Sequence, residues 1–213
     1  MKAIVIGATG LVGSSLVEQL ITNESYDEIR ILHRRTTGFE DAKIKESVID
    51  FDQPESFRDK VKGDVLFSAL GTTMKTAGSK EAQYKVDYEY QYEVAKMAAE
   101  KGVPTYVLVS SSGADSSSSI FYTRMKGELE DAVLKLPFKK VILLQPSVLD
   151  GDRQEKRLGE KVGIVVGKLL AWVPGIRKYR PIHVDVVAQG MINSVDKSPL
   201  GTTVYKLDEI FAL

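Results

Sequence analysis

Lys2-Ala3-Ile4-Val5-Ile6-Gly7-Ala8-Thr9-Gly10-Leu11-Val12-Gly13 begins as a short β-rich run and ends in a G-x-x-G-x-x-G loop. Helical spacing of Leu11, Leu16, Leu20 and Ile21 follows directly. A glycine triplet is weak by itself; between a strand and a helix it has a mechanism. Gly7 can make the tight turn, Gly10 lets the backbone approach a pyrophosphate, and Gly13 permits close packing of helix on sheet. The helix N-terminus offers free N–H groups and the positive end of a dipole. The whole loop, Gly7 through Ala8, Thr9, Gly10, Leu11 and Val12 to Gly13, is therefore read as a dinucleotide cradle. The alternative is a plain β–α turn with incidental glycines. Position, spacing and the elements that follow all speak against it.

Strand and helix signals alternate through the rest of the chain. A second strand is expected over Glu28–Leu32, a third over Ser47–Asp50, a short helix from Pro54 to about Val61, and a fourth strand over Asp64–Ser68. A long helix over Lys80–Lys101 ends at Gly102, a natural C-cap. Then come a fifth strand over Pro104–Ser110, a helix over Ser119–Leu136 stopped by Pro137, and a sixth strand over Lys140–Gln145. The serines of 116–119 read as a polar loop and helix N-cap. A helix near 158–172, a turn at Pro174-Gly175, a helix near 184–195 and a last strand near 202–207 complete the chain. Short apolar strands alternating with helices predict an α/β fold: a doubly wound, Rossmann-like parallel sheet in three α/β/α layers. Nothing resembles a linker. A single domain is expected, with a dinucleotide-binding core over 1–150 and a small substrate-side and closing segment over 151–213.

Composition narrows the chemistry. Of 213 residues, 43% are hydrophobic and 27% charged, which is ordinary globular content. Lys+Arg (29) cancel Asp+Glu (29), so there is no positive excess for a nucleic-acid partner. The absence of cysteine removes disulfides, thiolate metal sites and cysteine nucleophiles. With two histidines far apart, His33 and His183, no metal site is expected. The longest apolar run, Val162 to Val173, is too short for the about 20 residues a membrane span requires. The N-terminal run is too short for a signal-peptide core. A cytoplasmic location and a core-facing helix near 158–172 are the resulting expectations.

Two further clusters carry chemistry. At the end of strand two an NAD-preferring site places a carboxylate for the ribose 2′-hydroxyl. This chain has His33-Arg34-Arg35, and guanidiniums attract a 2′-phosphate. NADP(H) is therefore expected over NAD(H). After strand three, Asp50-Phe51-Asp52 can supply an acceptor for an adenine amino group with Phe51 packed nearby; a bare acidic loop is nearly as good a reading. Tyr122 and Lys126 form Y-x-x-x-K, which puts phenol and ammonium on one helix face. The cation stabilises a phenolate and makes the tyrosine a better acid/base. The motif is short, and Tyr92/Lys96 repeats it. Only Tyr122 follows a strand that ends in serines, Ser110-Ser111-Ser112, at the carboxyl edge where α/β ligands bind. Tyr92/Lys96 is read as helix surface plus packing.

With these residues the chain resembles the short-chain dehydrogenase/reductase superfamily, and within it the atypical branch of Tat-interacting-protein-2-like oxidoreductases. The resemblance covers roughly residues 3–195. It rests on the glycine loop, Arg34-Arg35, Val48-Ile49-Asp50-Phe51, Leu70-Gly71-Thr72-Thr73, Ser110 to Asp115, Tyr122 to Gly127 and Asp152-Arg153-Gln154-Glu155. It implies that Tyr122 is the general acid/base, that Lys126 tunes it and holds the nicotinamide ribose, and that Ser111 orients the substrate oxygen, with Ser112 as fallback. It also implies that Leu70, Gly71 and Thr72 line the cofactor and that Pro146 and Val148 flank the nicotinamide. Many relatives carry Asn where this chain has Asp87, and the short C-terminal part offers little substrate lobe. The implied function is an NADPH-dependent reductase of a small carbonyl, or of the alcohol in reverse. One rival is an NADP(H)-binding regulatory protein with little turnover; another uses the cofactor for epimerisation or dehydration. Pairing of the helices over 80–101 and 119–136 between two copies is compatible with a homodimer.

Overall fold

The computed structural model describes residues 1–151 and 177–213. Strand β1 (Lys2–Ile6) leads through the glycine loop into helix α1 (Leu11–Thr22). Strands β2 (Glu28–His33) and β3 (Ile44–Val48) follow, then helix α2 (Pro54–Phe57), which runs on as a 3-10 turn over Arg58–Lys60. After β4 (Val65–Ser68) come the short helices α3 (Met74–Ala77) and α4 (Lys80–Tyr84). A π-helical turn, Lys85–Glu89, joins α4 to α5 (Tyr90–Glu100). Then come β5 (Thr105–Val109), α6 (Phe121–Val133), β6 (Lys140–Gln145) and β7 (Leu149–Asp150). Last come β8 (Ile182–His183), α7 (Val184–Lys197), β9 (Gly201–Lys206) and a 3-10 helix over Leu207–Ala212.

Seven strands form one all-parallel sheet in the order β3-β2-β1-β4-β5-β6-β9. The strand order reverses between β1 and β4, which opens a crevice at their carboxyl ends. A two-residue ribbon pairs β7 with β8 outside this sheet. Side chains alternate across each strand and so feed two apolar layers. Ala3, Val5, Val65, Phe67, Val107, Ile142 and Leu144 pack on one face with Leu16 and Leu20 of α1 and Val187 and Met191 of α7. Ile4, Ile6, Leu66, Leu108, Val141 and Leu143 pack on the other with Val94 and Ala98 of α5 and Leu129 and Val133 of α6. Each such side chain larger than alanine contributes about 1.5–3 kcal/mol through burial. This is the expected doubly wound α/β/α sandwich.

Several boundaries differ from expectation, each for a physical reason. The third strand is Ile44–Val48 rather than Ser47–Asp50. It is the sheet edge, so Lys45 and Val48 face solvent and the run lacks the apolar signature of an inner strand. The helix over Lys80–Lys101 contains the π turn, and α6 is shorter than Ser119–Leu136. Its N-cap is Ile120, not a serine, because Ser117 bonds Asp115 and Ser118 accepts from the Ile120 N–H. The anticipated stop at Gly102 is present, at φ +78. The expected helix near 158–172 and the turn at Pro174-Gly175 lie outside the described residues.

Candidate functional site

The residues gathered at the β1/β4 crevice line a cleft of about 470 Å³. From the glycine loop come Gly7, Thr9, Gly10 and Leu11, from the end of β2 His33 and Arg34, and from the turn after β3 Phe51. Leu70, Gly71 and Thr72 follow β4. Ten of the residues expected at the cofactor thus share one cleft, together with Ser14, Ala69, Thr73 and Thr76, which sequence reasoning missed. Thr73 caps α3 by accepting from Thr76 N, and that cap pattern was the available signal.

The glycine loop is built around close backbone contact. Gly7 has φ +86, and a Cβ there would lie 2.4 Å from the Ala69 backbone. A Cβ on Gly13 would lie 2.0 Å from the Gly7 carbonyl oxygen. These clashes seat α1 against the sheet. The N-cap of α1 is Gly10, which brings no capping side chain, and the first turn holds no acidic residue. The first N–H groups of α1 therefore suit an anion. Ala8, Val12 and Gly13 are buried beneath the cleft rather than lining it.

Other expected cofactor residues stand outside the lining. Arg35 is exposed, and its backbone carbonyl meets His33 Nδ1 at 2.6 Å. Asp50 is exposed and its carboxylate is spent on its own turn, accepting from Asp52 N at 2.9 Å and Gln53 Nε2 at 3.1 Å. Phe51 between them does line the cleft, and it is buried and stacks on Tyr90 at 5.1 Å between ring centroids. The buried Pro146 accepts from Ser112 N at 3.0 Å, tying the exit of β6 to the serine turn. Val148 is exposed and is absent from the lining.

The tyrosine helix meets the cleft through a buried ion pair. Lys126 is 4% exposed and lies 3.5 Å from Asp87 Oδ1. Asp87 is 1% exposed, and its Oδ2 accepts from Thr72 N at 2.8 Å. Thr72 lines the cleft, so Lys126 stands behind it and reaches it through Asp87. Burial pushes the Asp87 carboxyl up, against the opposing pull of Lys126 and the Thr72 N–H. Gly71 is close enough that a Cβ would come within 3.2 Å of Asp87 Oδ1. The π turn places Asp87 there, and π turns recur at functional sites. A Cβ on Gly127 would lie 2.2 Å from Ser116 N, so glycine after Lys126 lets α6 press on the serine loop.

Tyr122 is 40% exposed one helical turn before Lys126. The Ser111 hydroxyl turns toward the Ser112 carbonyl at 3.4 Å. Ser110 is buried, and its hydroxyl has no partner among the described residues. Neither Ser111 nor Tyr122 lines the cleft. Tyr92 stacks on Tyr88 at 6.0 Å, and Lys96 is exposed, a surface-and-packing arrangement.

A family model described as NAD(P)H-binding matches residues 7–156. The protein named FMP52, mitochondrial, of Candida albicans is 36% identical over 205 residues, covering 92% of this chain and 89% of its own. The protein of the same name from Meyerozyma guilliermondii is 44% identical over 157 residues, covering 72% and 67%. Among solved structures, a short-chain dehydrogenase/reductase superfamily protein from Agrobacterium tumefaciens with bound NAD aligns at TM-score 0.74 and 14% identity, covering 97% of this chain and 77% of that one. MoeE5 in complex with UDP-glucose and NAD aligns at TM-score 0.71 and 16% identity, covering 100% and 80%. At such identities these structures speak for the fold alone. The mitochondrial names overturn the expected cytoplasmic location. Apolar-run arguments detect lipid-crossing and secretory segments, whereas organelle location follows from recognition they do not read. No helix among the described residues is long and apolar enough to cross a membrane. The glycine loop, the parallel sheet order and these relatives together make the chain a member of the NAD(P)H-binding family, alongside the FMP52 proteins of fungi.

Proposed function

We propose that the chain is an NADPH-dependent oxidoreductase of the short-chain dehydrogenase/reductase type, acting on a small carbonyl or the corresponding alcohol. The observation that carries this reading is the line Thr72–Asp87–Lys126, which connects the cleft to the helix bearing Tyr122. The cleft suits a phosphorylated dinucleotide: uncapped N–H groups of α1 would face a pyrophosphate, and Arg34 directly follows the end of β2, where an NAD-type site carries a carboxylate. Bound NADPH would supply hydride to the carbonyl carbon. Tyr122 would give its phenolic proton to the carbonyl oxygen as negative charge develops there. Lys126, held by Asp87, would favour the phenolate that remains. Ser111, with Ser112 as fallback, would orient the substrate oxygen. Gly10 and Gly71 would keep backbone rather than bulk against the cofactor, with Leu70 and Thr72 lining it beside them. A mitochondrial place of work is proposed from the names of the fungal relatives.

Arg34→Ala is expected to weaken NADPH binding by about 10–100-fold, the worth of a charge-assisted contact to phosphate, and NADH binding far less. Fluorescence titration of the nicotinamide with each nucleotide reads this directly. Equal losses would mean that Arg34 does not read a 2′-phosphate. A second reading, a cofactor-binding regulator with little turnover, draws on Tyr122 being 40% exposed and on the Ser111 hydroxyl facing its neighbour's carbonyl. Tight NADPH binding with no reduction across a broad carbonyl panel would favour that reading.

A further inference from the structure

His33 ends β2 with its ring 7% exposed and both nitrogens engaged. Nε2 lies 2.9 Å from Thr9 Oγ1 in the glycine loop, and Nδ1 lies 2.6 Å from the Arg35 carbonyl oxygen. A carbonyl only accepts, so the short contact assigns the ring proton to Nδ1. In the tautomer with its single proton on Nδ1, Nε2 accepts the Thr9 hydroxyl proton. The Arg35 N–H also approaches Nδ1, at 3.2 Å, but a protonated Nδ1 has no lone pair to offer it. One imidazole thus joins the glycine loop, the end of β2 and the arginine turn. Arg34 sits between the two anchored residues and lines the cleft.

We propose that His33 is a specificity-determining residue, a clasp between Thr9 and Arg35 that fixes the glycine loop and presents Arg34 to a nucleotide 2′-phosphate. This rests on the NADPH reading and deepens it by naming what sets the preference. A carboxylate at the same position would accept from a ribose 2′-hydroxyl and repel a phosphate. The imidazole brings no negative charge and has no nitrogen left over for the ribose.

The test is a double-mutant cycle with Thr9→Val and His33→Ala, titrated with NADPH and with NADH. Each single variant is expected to weaken NADPH binding roughly tenfold, as loss of one partner of a partly buried hydrogen bond does. The double variant is expected to lose little more, because either change alone breaks the same bond. Thr9 is exposed, so Thr9→Val keeps the cycle informative should His33→Ala fold poorly. His33→Asp is expected to shift the preference toward NADH. Additive losses, or single variants that bind NADPH like the wild type, overturn the clasp. Wild-type protein that binds neither nucleotide overturns the cofactor reading instead. The clasp is then judged by amide exchange in the free protein: faster exchange over 7–13 in Thr9→Val and His33→Ala upholds it, and unchanged exchange overturns it.

Discussion

Tyr122→Phe is expected to lower kcat by about 10²–10⁴-fold, the usual worth of a positioned general acid. Affinity for NADPH is expected to stay close to wild type. The side chain is 40% exposed, so losing one hydroxyl removes almost no packing. The measurement pairs a nicotinamide titration with turnover of whichever carbonyl the wild-type protein reduces. Thermal melting serves as a control, since an unchanged midpoint excludes a folding explanation. Turnover that survives the substitution removes Tyr122 from the mechanism and leaves the Y-x-x-x-K pattern a coincidence of helix spacing.

The second large effect is on stability. Lys126→Met is expected to destabilise the fold by about 3–5 kcal/mol at neutral pH, because it leaves the buried Asp87 carboxylate without its cation. The pH dependence has a definite sign. Burial already holds the Asp87 carboxyl above its ordinary range. Without Lys126, only the Thr72 N–H remains to oppose that push. A carboxyl raised on folding contributes stability that is fully present below its unfolded pKa and lost as pH rises through its folded one. The deficit of the variant against wild type should therefore grow as pH rises past about 4, the ordinary Asp value. Urea denaturation from acid to neutral pH measures it. A deficit that is flat with pH, or deepest in acid, would show that Asp87 is not the group responsible. Combining Lys126→Met with Asp87→Asn should recover much of the loss, since neutralising both partners is far less costly than stranding one.

The Asp87–Lys126 pair also shows what a linear reading leaves open. The sequence places Lys126 one helical turn after Tyr122, because i and i+4 share a helix face. It marks Asp87 only as a departure from a familiar asparagine. That Asp87 touches Lys126 on one side and Thr72 on the other depends on packing α6 against the π turn and on the width of that turn. No local pattern encodes either.

Local physical chemistry determined the rest of the legible fold. Glycines at 7 and 13 are required by backbone contacts that no Cβ tolerates, and a Cβ at Gly10 would press on the Gly7 carbonyl oxygen at 3.2 Å, so the three are visible as a pattern. The inner strand Lys140–Gln145 is apolar on both faces because helices cover both, and it stands where its composition puts it. The edge strand Ile44–Val48 escaped because half of it meets water, and polarity there carries no period. The return of Gly201–Lys206 to pair with β6, and the seating of His33 between Thr9 and Arg35, join residues far apart in the chain or turned toward one another only once the sheet closes. Periodicity and turn chemistry act over a few residues and can be read in one dimension. Which buried polar groups become partners is decided by the three-dimensional sheet order, and for this protein that order shapes the cleft.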